Sequence, residues 1–449
     1  MKKMFRRILI ANRGEVAVRI IRTCLEMGIE TVVIYSTKDK ECMHVKIADE
    51  AVCIGPASAS KSYLDIGKII EVAKAYKVDA IHPGYGFLAE NCEFSRKCLE
   101  NHIKFIGPSS DVIKLMGNKA LAKAYVESLG IPTIPGIKEV VVDKEKAKIL
   151  TGEIGYPILI KAATGGGGRG IRKVHNKEEF EMAFVLCSKE AKKAFDNNEI
   201  YIEKYICESR HVEVQVLVDE YKNVLILGER DCSMQRKNQK VIEESPATIL
   251  NDKLRCKMYE FSKKIALKCD YENAGTIEFL IDKDKNIYFM EMNTRLQVEH
   301  PVTELVCNID IVKEQIKIAC GERLKYKEED INLRGHSIEC RINAEQPEKN
   351  FSASAGVIKN LNIPGGNGIR VDSAIYTGME ITSLYDSNIA KLIVYGNDRD
   401  ECIKKMRRGL CEFIIDGVET NIEFLLKVLN NEQFLMDRHN TSTLNDLIK

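Results

Sequence analysis

Residues 275–298, GTIEFLIDKDKNIYFMEMNTRLQV, read as a β-hairpin. Apolar and polar residues alternate over 276–281, the turn-rich DKDKN follows at 282–286, and a second strand starts at Ile287. Side chains alternate across a strand, so Glu291, Asn293, Arg295, Gln297 and Glu299 share one face for as long as the segment stays extended. Five polar groups in a row do not make a core face. With Glu278 on the partner strand opposite Glu291, the hairpin offers two carboxylates and an amide oxygen, hard donors of the kind Mg²⁺ accepts beside nucleotide phosphates. A solvated edge with ordinary surface charges is the competing reading, and the apolar Ile277, Phe279, Ile287 and Phe289 that flank the acids weigh against it.

The whole chain sets the limits within which that hairpin works. Its 449 residues exceed the usual single-domain size and predict roughly two to four domains. Apolar residues at 45% and charged residues at 30% exclude disorder, and a formal net charge of +1 gives no bulk electrostatic case for nucleic acid or an anionic membrane. Function must come from local sites. The fifteen cysteines include no C-x-x-C pair, which argues against a structural zinc and for reduced thiols in a cytosol. The basic start is followed by only four apolar residues, 8–11, too few for a signal-peptide core, and no stretch approaches a membrane span.

Toward the N-terminus the pattern is α/β. RILIA (7–11) is a buried strand, NRGE (12–15) a turn, 16–27 an amphipathic helix stopped by Gly28, and TVVIY (31–35) a second strand. This βαβ unit lacks G-x-G-x-x-G, which disfavours a dinucleotide. A further strand, DAIHP, leads into HPGYGFLAEN (82–91), where Tyr85 between two glycines fits either a pocket wall or a turn that simply needs its glycines. A helix starting near Asn118 ends at Gly130, and IPTIPG (131–136) reads as a linker into a small separate domain.

That small domain contains YPILIKAATGGGGRGIRKV (156–174): a strand ending in Lys161, four glycines at 165–168, and another strand. Glycine runs leave backbone N–H groups free to approach phosphate oxygens, so a lid over a triphosphate is expected; a surface hairpin is the alternative. G-K-[ST] is absent and a strand follows, so this is no Walker loop. EIYIEKYI (199–206) and RHVEVQVLVD (210–219) read as strands, the second half-buried by its strict alternation from His211. Between them, 203–206 is placed for backbone groups to read an adenine edge. ERDCSMQRKNQKVIEESP (229–246) mixes charges in the manner of a solvated loop, with Lys240 a candidate anion anchor.

Taken in order and spacing, NRGE, HPGYGFLAEN, KAATGGGGRG, EKYI, RHVEVQ, ERDCSMQR, QKVIEESP, EMNTRLQVEHPVTE and GHSIECRINAE resemble the biotin carboxylase family of the ATP-grasp superfamily over nearly the whole chain. The resemblance implies an N-terminal Rossmann-like α/β domain (1–116), a linker helix and turn (117–132), an ATP-grasp lid (133–206) and an α+β C-terminal part (207–449) that completes the nucleotide site. No A-M-K-M biotinyl-lysine motif is present, so the chain is similar to the free-standing subunit of bacterial acetyl-CoA carboxylase, in the first half-reaction of fatty acid biosynthesis. Its partners would then be a separate biotin carboxyl carrier protein and carboxyltransferase subunits; a cytoplasmic homodimer is expected, with Arg22 and Glu26 at positions that meet at the family's subunit contact. A pyruvate or other acyl-CoA carboxylase is the alternative setting.

The roles that the resemblance implies are these. Glu278, Glu291 and Asn293 bind Mg²⁺ or Mn²⁺. Lys119, Lys161, Gly167, Gly168, Glu203, Lys204, Tyr205, Ile206 and His211, with Glu278 and Glu291, contact ATP. Bicarbonate lies against Lys240, Arg295, Gln297 and Val298, where an arginine fork suits a planar oxyanion. Glu299 is the base that takes the bicarbonate proton. Arg341 stabilises the biotin enolate and Tyr85 walls the biotin pocket. Thr164 replaces the first of five glycines usual in the family, Asn238 stands for a common histidine, and FSASAG (351–356) lacks the usual prolines. Two other classes compete: an ATP-grasp carboxylate–amine ligase, which has no need of ECRINAE, and a silent nucleotide-binding subunit, which would lose Glu299 or Arg341.

Overall fold

The computed structural model of the protein describes residues 4–137, 139–163, 171–195 and 198–448. Five parallel strands open the chain: β1 (Arg7–Ile10), β2 (Glu30–Ser36), β3 (Glu50–Gly55), β4 (Ala80–His82) and β5 (Lys104–Phe105), in the order β3-β2-β1-β4-β5. The apolar runs of β1, β2 and β4 are buried on both faces, as a parallel sheet covered by helices requires, while the edge strand β3 buries only Ile54. Helix α1 (Gly14–Glu26) packs Val16, Ala17, Ile20, Ile21 and Cys24 inward and leaves Arg22 and Glu26 in solvent, without an ion pair to each other. Burying each of Val16, Ile20 and Ile21 stabilises the fold by about 1.5–3 kcal/mol.

The IPTIPG segment is more tightly held than a linker. Helix α2 (Lys119–Ser128) is capped by the Asn118 side chain and ends before Gly130; beyond it, Phe289 N–H donates to the Pro132 carbonyl, and Gly136 bridges to Glu203. Entry and exit of the small unit therefore run side by side. That unit is a three-stranded antiparallel sheet of β6 (Ile158–Ala162), β7 (Ile171–Val174) and β8 (Ile200–Lys204) in the order β7-β6-β8, backed by the helices Lys144–Ile154 and Lys177–Phe195 around a core of its own. The predicted strand–glycine–strand pattern has both its strands here. The glycines themselves, Gly167 and Gly168 included, and Thr164 lie outside the described residues.

An eight-stranded antiparallel sheet forms the largest element. It comprises β9 (Arg210–Val218), β10 (Val224–Arg236), β11 (Gln239–Ser245), β12 (Asn273–Ile281), β13 (Ile287–Asn293), β14 (His336–Asn343) and the strands Asn388–Gly396 and Ile369–Ser373, in the order β13-β12-β9-β10-β11-β14 and then those two. Two expectations are corrected. The first concerns β9, which is buried on both faces rather than half-buried: Val212, Val214, Val216 and Val218 enter the core, while His211, Glu213 and Gln215 are buried among polar partners on the other face. The second concerns residues 229–246, which are paired strands with interior charges rather than a solvated loop; Lys237 and Asn238 turn between them at φ 49° and 63°.

The hairpin at 275–298 also departs from simple alternation, in a way that makes the site. Ile287, Phe289, Glu291 and Asn293 would all point the same way in a regular strand. Instead Glu278 opposes Glu291 while its neighbour Phe279 opposes Phe289, so Met290 is an extra residue in a β-bulge. The bulge switches faces: Ile287 and Phe289 join the core, and Glu291 and Asn293 turn to the polar side. Strand β13 then stops at Asn293, because Thr294 N–H donates to the Glu90 carboxylate instead of continuing a ladder. Arg295, Gln297 and Glu299 accordingly reach the same cavity from a loop, not from one strand face.

Candidate active site

A cavity of about 760 Å³ lies between the small unit and the polar face of the large sheet. All the predicted site residues that the structure describes line it, except Tyr85. Its centre is Lys240 on β11, whose ammonium donates to Glu213 Oε2 (2.5 Å), Glu278 Oε1 (2.9 Å) and Glu299 Oε1 (2.5 Å). Burial works against the charge of Lys240, but these three carboxylates hold its pKa well above the ordinary value.

Glu299 occupies the N-cap of helix α3 (His300–Cys307) yet makes no capping bond. Its carboxylate is turned instead between Lys240 on one oxygen and Arg341 Nη2 (2.8 Å) on the other. Burial alone would raise the Glu299 pKa; Lys240, then Arg341 and Arg230, bring it far below the usual carboxylate range. Arg341, on β14, is held from behind by Glu243 Oε1 at 2.6 Å. Lys391, fully buried on the strand Asn388–Gly396, donates to the Val298 carbonyl at 2.8 Å. That bond fixes the 298–299 peptide, and the Glu299 N–H, trans to the carbonyl, faces the other way.

The carboxylates predicted for a metal meet as their register requires. Glu278 Oε1 accepts from Asn293 Nδ2 (2.8 Å) and Gln297 Nε2 (2.7 Å), His211 Nε2 lies 2.9 Å from Glu278 Oε2, and Lys119 Nζ donates to Glu291 Oε2 (2.8 Å). Two opposed carboxylates beside an amide oxygen fit Mg²⁺ by donor chemistry. Arg295 spreads its guanidinium over Glu90 Oε2 (2.9 Å), Asn293 Oδ1 (2.8 Å) and the Leu296 carbonyl (3.1 Å). At the small unit, Lys161 and Lys123 both pair with Glu203.

Comparison with known proteins fits this geometry. The family profile described as "Biotin carboxylase, N-terminal domain" matches residues 4–113, "Carbamoyl-phosphate synthase L chain, ATP binding domain" matches 118–327, and "Biotin carboxylase C-terminal domain" matches 339–446. Biotin carboxylase 1 of Bacillus subtilis is 52% identical over 442 residues, covering 98% of each chain. The chain belongs to the biotin carboxylase family. Among solved structures, the biotin carboxylase domain dimer of Hydrogenobacter thermophilus 2-oxoglutarate carboxylase, in complex with MgADP, ADP and bicarbonate, is 48% identical with a TM-score of 0.97, covering 99% of this chain and 98% of that one. The biotin carboxylase β,γ-ATP complex from Campylobacter jejuni is 47% identical, with a TM-score of 0.95 and coverage of 98% and 99%.

Against this biotin carboxylase frame, Tyr85 stands apart. Gly84 and Gly86 on either side have φ of 63° and 73°, so the turn does need its glycines; the Tyr85 ring packs on the core and its hydroxyl is buried without a partner among the described residues. Phe87, two residues on, lines the cavity instead. Several site residues went unread. Glu213 shares the polar face of β9 with His211, a relation that i,i+2 spacing could have exposed. Lys123 stands one turn from Lys119 on α2, an i,i+4 signal. Arg230 carries no such signal: fully buried, it donates to Glu213, Gln215, Thr276, Thr303 and Gln297 Oε1, fixing the Gln297 amide. Glu243 is likewise visible only once β11 and β14 are paired, and Glu90 only once the 82–91 turn meets residues 294 and 295.

Proposed function

We propose that the cavity carboxylates biotin at the expense of ATP, with bicarbonate as the carbon source and carboxyphosphate as the intermediate, and that each lining residue has a defined part. The observation that carries the assignment is the Glu299 carboxylate suspended between Lys240 and Arg341, which joins an anion pocket to a second, separately held arginine. Glu278, Glu291 and Asn293 would hold Mg²⁺, which supplies charge neutralisation to the phosphates when bound. Lys119 and Lys161 turn from Glu291 and Glu203 toward the phosphates, the 203–206 backbone reads the adenine edge, and His211 approaches from β9.

Bicarbonate sits against Lys240, Arg295, Gln297 and the Val298 backbone. Glu299, ionised at neutral pH, takes the bicarbonate proton as the bicarbonate oxygen bonds to the γ-phosphorus and the bond to ADP breaks. Lys240 leaving Glu299 for the anion raises the basicity of that carboxylate at the right moment. Carboxyphosphate splits into CO₂ and phosphate; the phosphate removes the ureido N1′ proton, and the biotin enolate, its charge held by Arg341, bonds to CO₂. Tyr85 remains the proposed biotin-pocket residue, beside Phe87, which lines the cavity in this structure.

The proposed boundaries remain 1–116, 117–132, 133–206 and 207–449. A homodimer is the proposed assembly, after the dimeric relative, with Arg22 and Glu26 exposed where the contact is expected. The proposed partners are a biotin carrier protein and carboxyltransferase subunits of acetyl-CoA carboxylase; the relative that belongs to a 2-oxoglutarate carboxylase makes another acceptor the second reading. Fifteen free thiols suit the cytoplasm, and among the described residues no helix is long and apolar enough to cross a membrane. The test is ATP hydrolysis that requires bicarbonate and rises when free biotin is added. Hydrolysis independent of bicarbonate and indifferent to biotin contradicts the assignment.

A further inference from the structure

Glu203 is 2% exposed and carries two ammonium partners, Lys123 and Lys161. The two are not equivalent. Lys123 donates a hydrogen bond to Oε2, whereas Lys161 lies against Oε1 as an ion pair without hydrogen-bond geometry. Lys123 is also fixed from other sides: it is 4% exposed on α2, its ammonium reaches the Ile134 carbonyl at 3.5 Å, and it sits 4.9 Å over the Tyr201 ring. Lys161, the penultimate residue of β6, by contrast lines the cavity, which Lys123 does not. Lys123 has little freedom to move, and Lys161 has somewhere to go.

We propose that Lys123 is a positioning residue that keeps Glu203 neutralised and so releases Lys161 to the triphosphate. The inference rests on the ATP reading above and deepens it. When Lys161 turns to a phosphate, the pair that remains, Glu203 with Lys123, is balanced. Without Lys123 the same movement would strand a buried carboxylate with no partner, a state that strongly opposes it. Lys161 would then stay on Glu203, and nucleotide affinity would fall although Lys123 touches no nucleotide.

Binding of a non-hydrolysable ATP analogue with Mg²⁺ to the full chain tests this, beside the bicarbonate KM. Lys161→Met is the control on the ATP reading: if it binds the analogue as the wild type does, or if the wild type does not bind, that reading fails and the inference with it. If the control behaves, Lys123→Met is expected to weaken binding about tenfold or more with the bicarbonate KM unchanged. In a Glu203→Gln background, where no charge needs neutralising, Lys123→Met is expected to have no further effect, and Lys123→Arg alone to keep wild-type affinity. Lys123→Gln replaces Lys123→Met if that variant does not fold. Unchanged affinity in Lys123→Met, or a loss that persists in full beside Glu203→Gln, overturns the proposal.

Discussion

Strands β1 and β9 are both buried on both faces, yet they do different work. In β1, Ile8, Leu9 and Ile10 are apolar whichever way they point, and the strand contributes only packing. In β9, valines fill one face while His211, Glu213 and Gln215 are equally buried on the other, each with a polar or charged partner. Burial therefore does not separate structure from function here; the chemistry of the second face does. A buried polar face has to be fully paired to be tolerated, and pairing that leaves room for ligands is what an active site is.

This contrast predicts separable losses. The largest falls on the polar side: Glu299→Gln should lower both bicarbonate-dependent ATP cleavage and carboxybiotin formation by about 10²–10³, with the circular dichroism spectrum retained. On the apolar side, Ile10→Ala should cost about 2–5 kcal/mol in denaturant unfolding while each folded molecule keeps its activity. A Glu299 variant that unfolds, or an Ile10 variant that stays stable but loses ATP cleavage, would erase the distinction between the two kinds of strand.

A smaller effect concerns pH. Burial raises the Glu243 carboxyl to about 7, helped by Glu299 and opposed by Arg341. A carboxyl whose folded pKa exceeds its unfolded value binds a proton that the unfolded chain has already released, so its contribution to stability is present at low pH and lost as pH rises from about 4.5 to about 7. Glu243→Gln should flatten the fall in stability across that window by on the order of 1 kcal/mol, read from melting at fixed pH values. An unchanged slope means Glu243 is ionised throughout. Smallest of all is assembly: light scattering at micromolar concentration should give about twice the 50.8 kDa chain mass, and Arg22→Glu should shift that toward the monomer without altering the melt.

How much of this was legible beforehand follows the same line. Strands β1, β2 and β4, helix α1, the two strands that flank the 165–168 glycines and the pairing of the 275–298 hairpin follow from periodicity, because each element's pattern has one dominant cause. Motif spacing brought the site residues together where the fold does. Alternation failed at Met290 and Asn293, since a bulge and a carboxylate from another part of the chain, Glu90, redirect the strand. Mixed charge at 229–246 misled because solvated and mutually paired charges look alike until the partner strands are known. The glycines around Tyr85 leave a pocket wall and a plain turn equally open in sequence, and its biotin-pocket role comes from the family resemblance alone.

The central claim is that the polar face holds two groups with distinct duties: an anion pocket around Lys240 and Arg295, and an arginine at 341 for the biotin enolate. Measuring ATP cleavage and carboxybiotin in one reaction of Arg341→Ala, with ATP, Mg²⁺, bicarbonate and biotin, tests it most directly. The account predicts that this variant still binds ATP and bicarbonate and retains some ATP cleavage while carboxybiotin formation is lost. Carboxybiotin made by Arg341→Ala at the wild-type rate would contradict it.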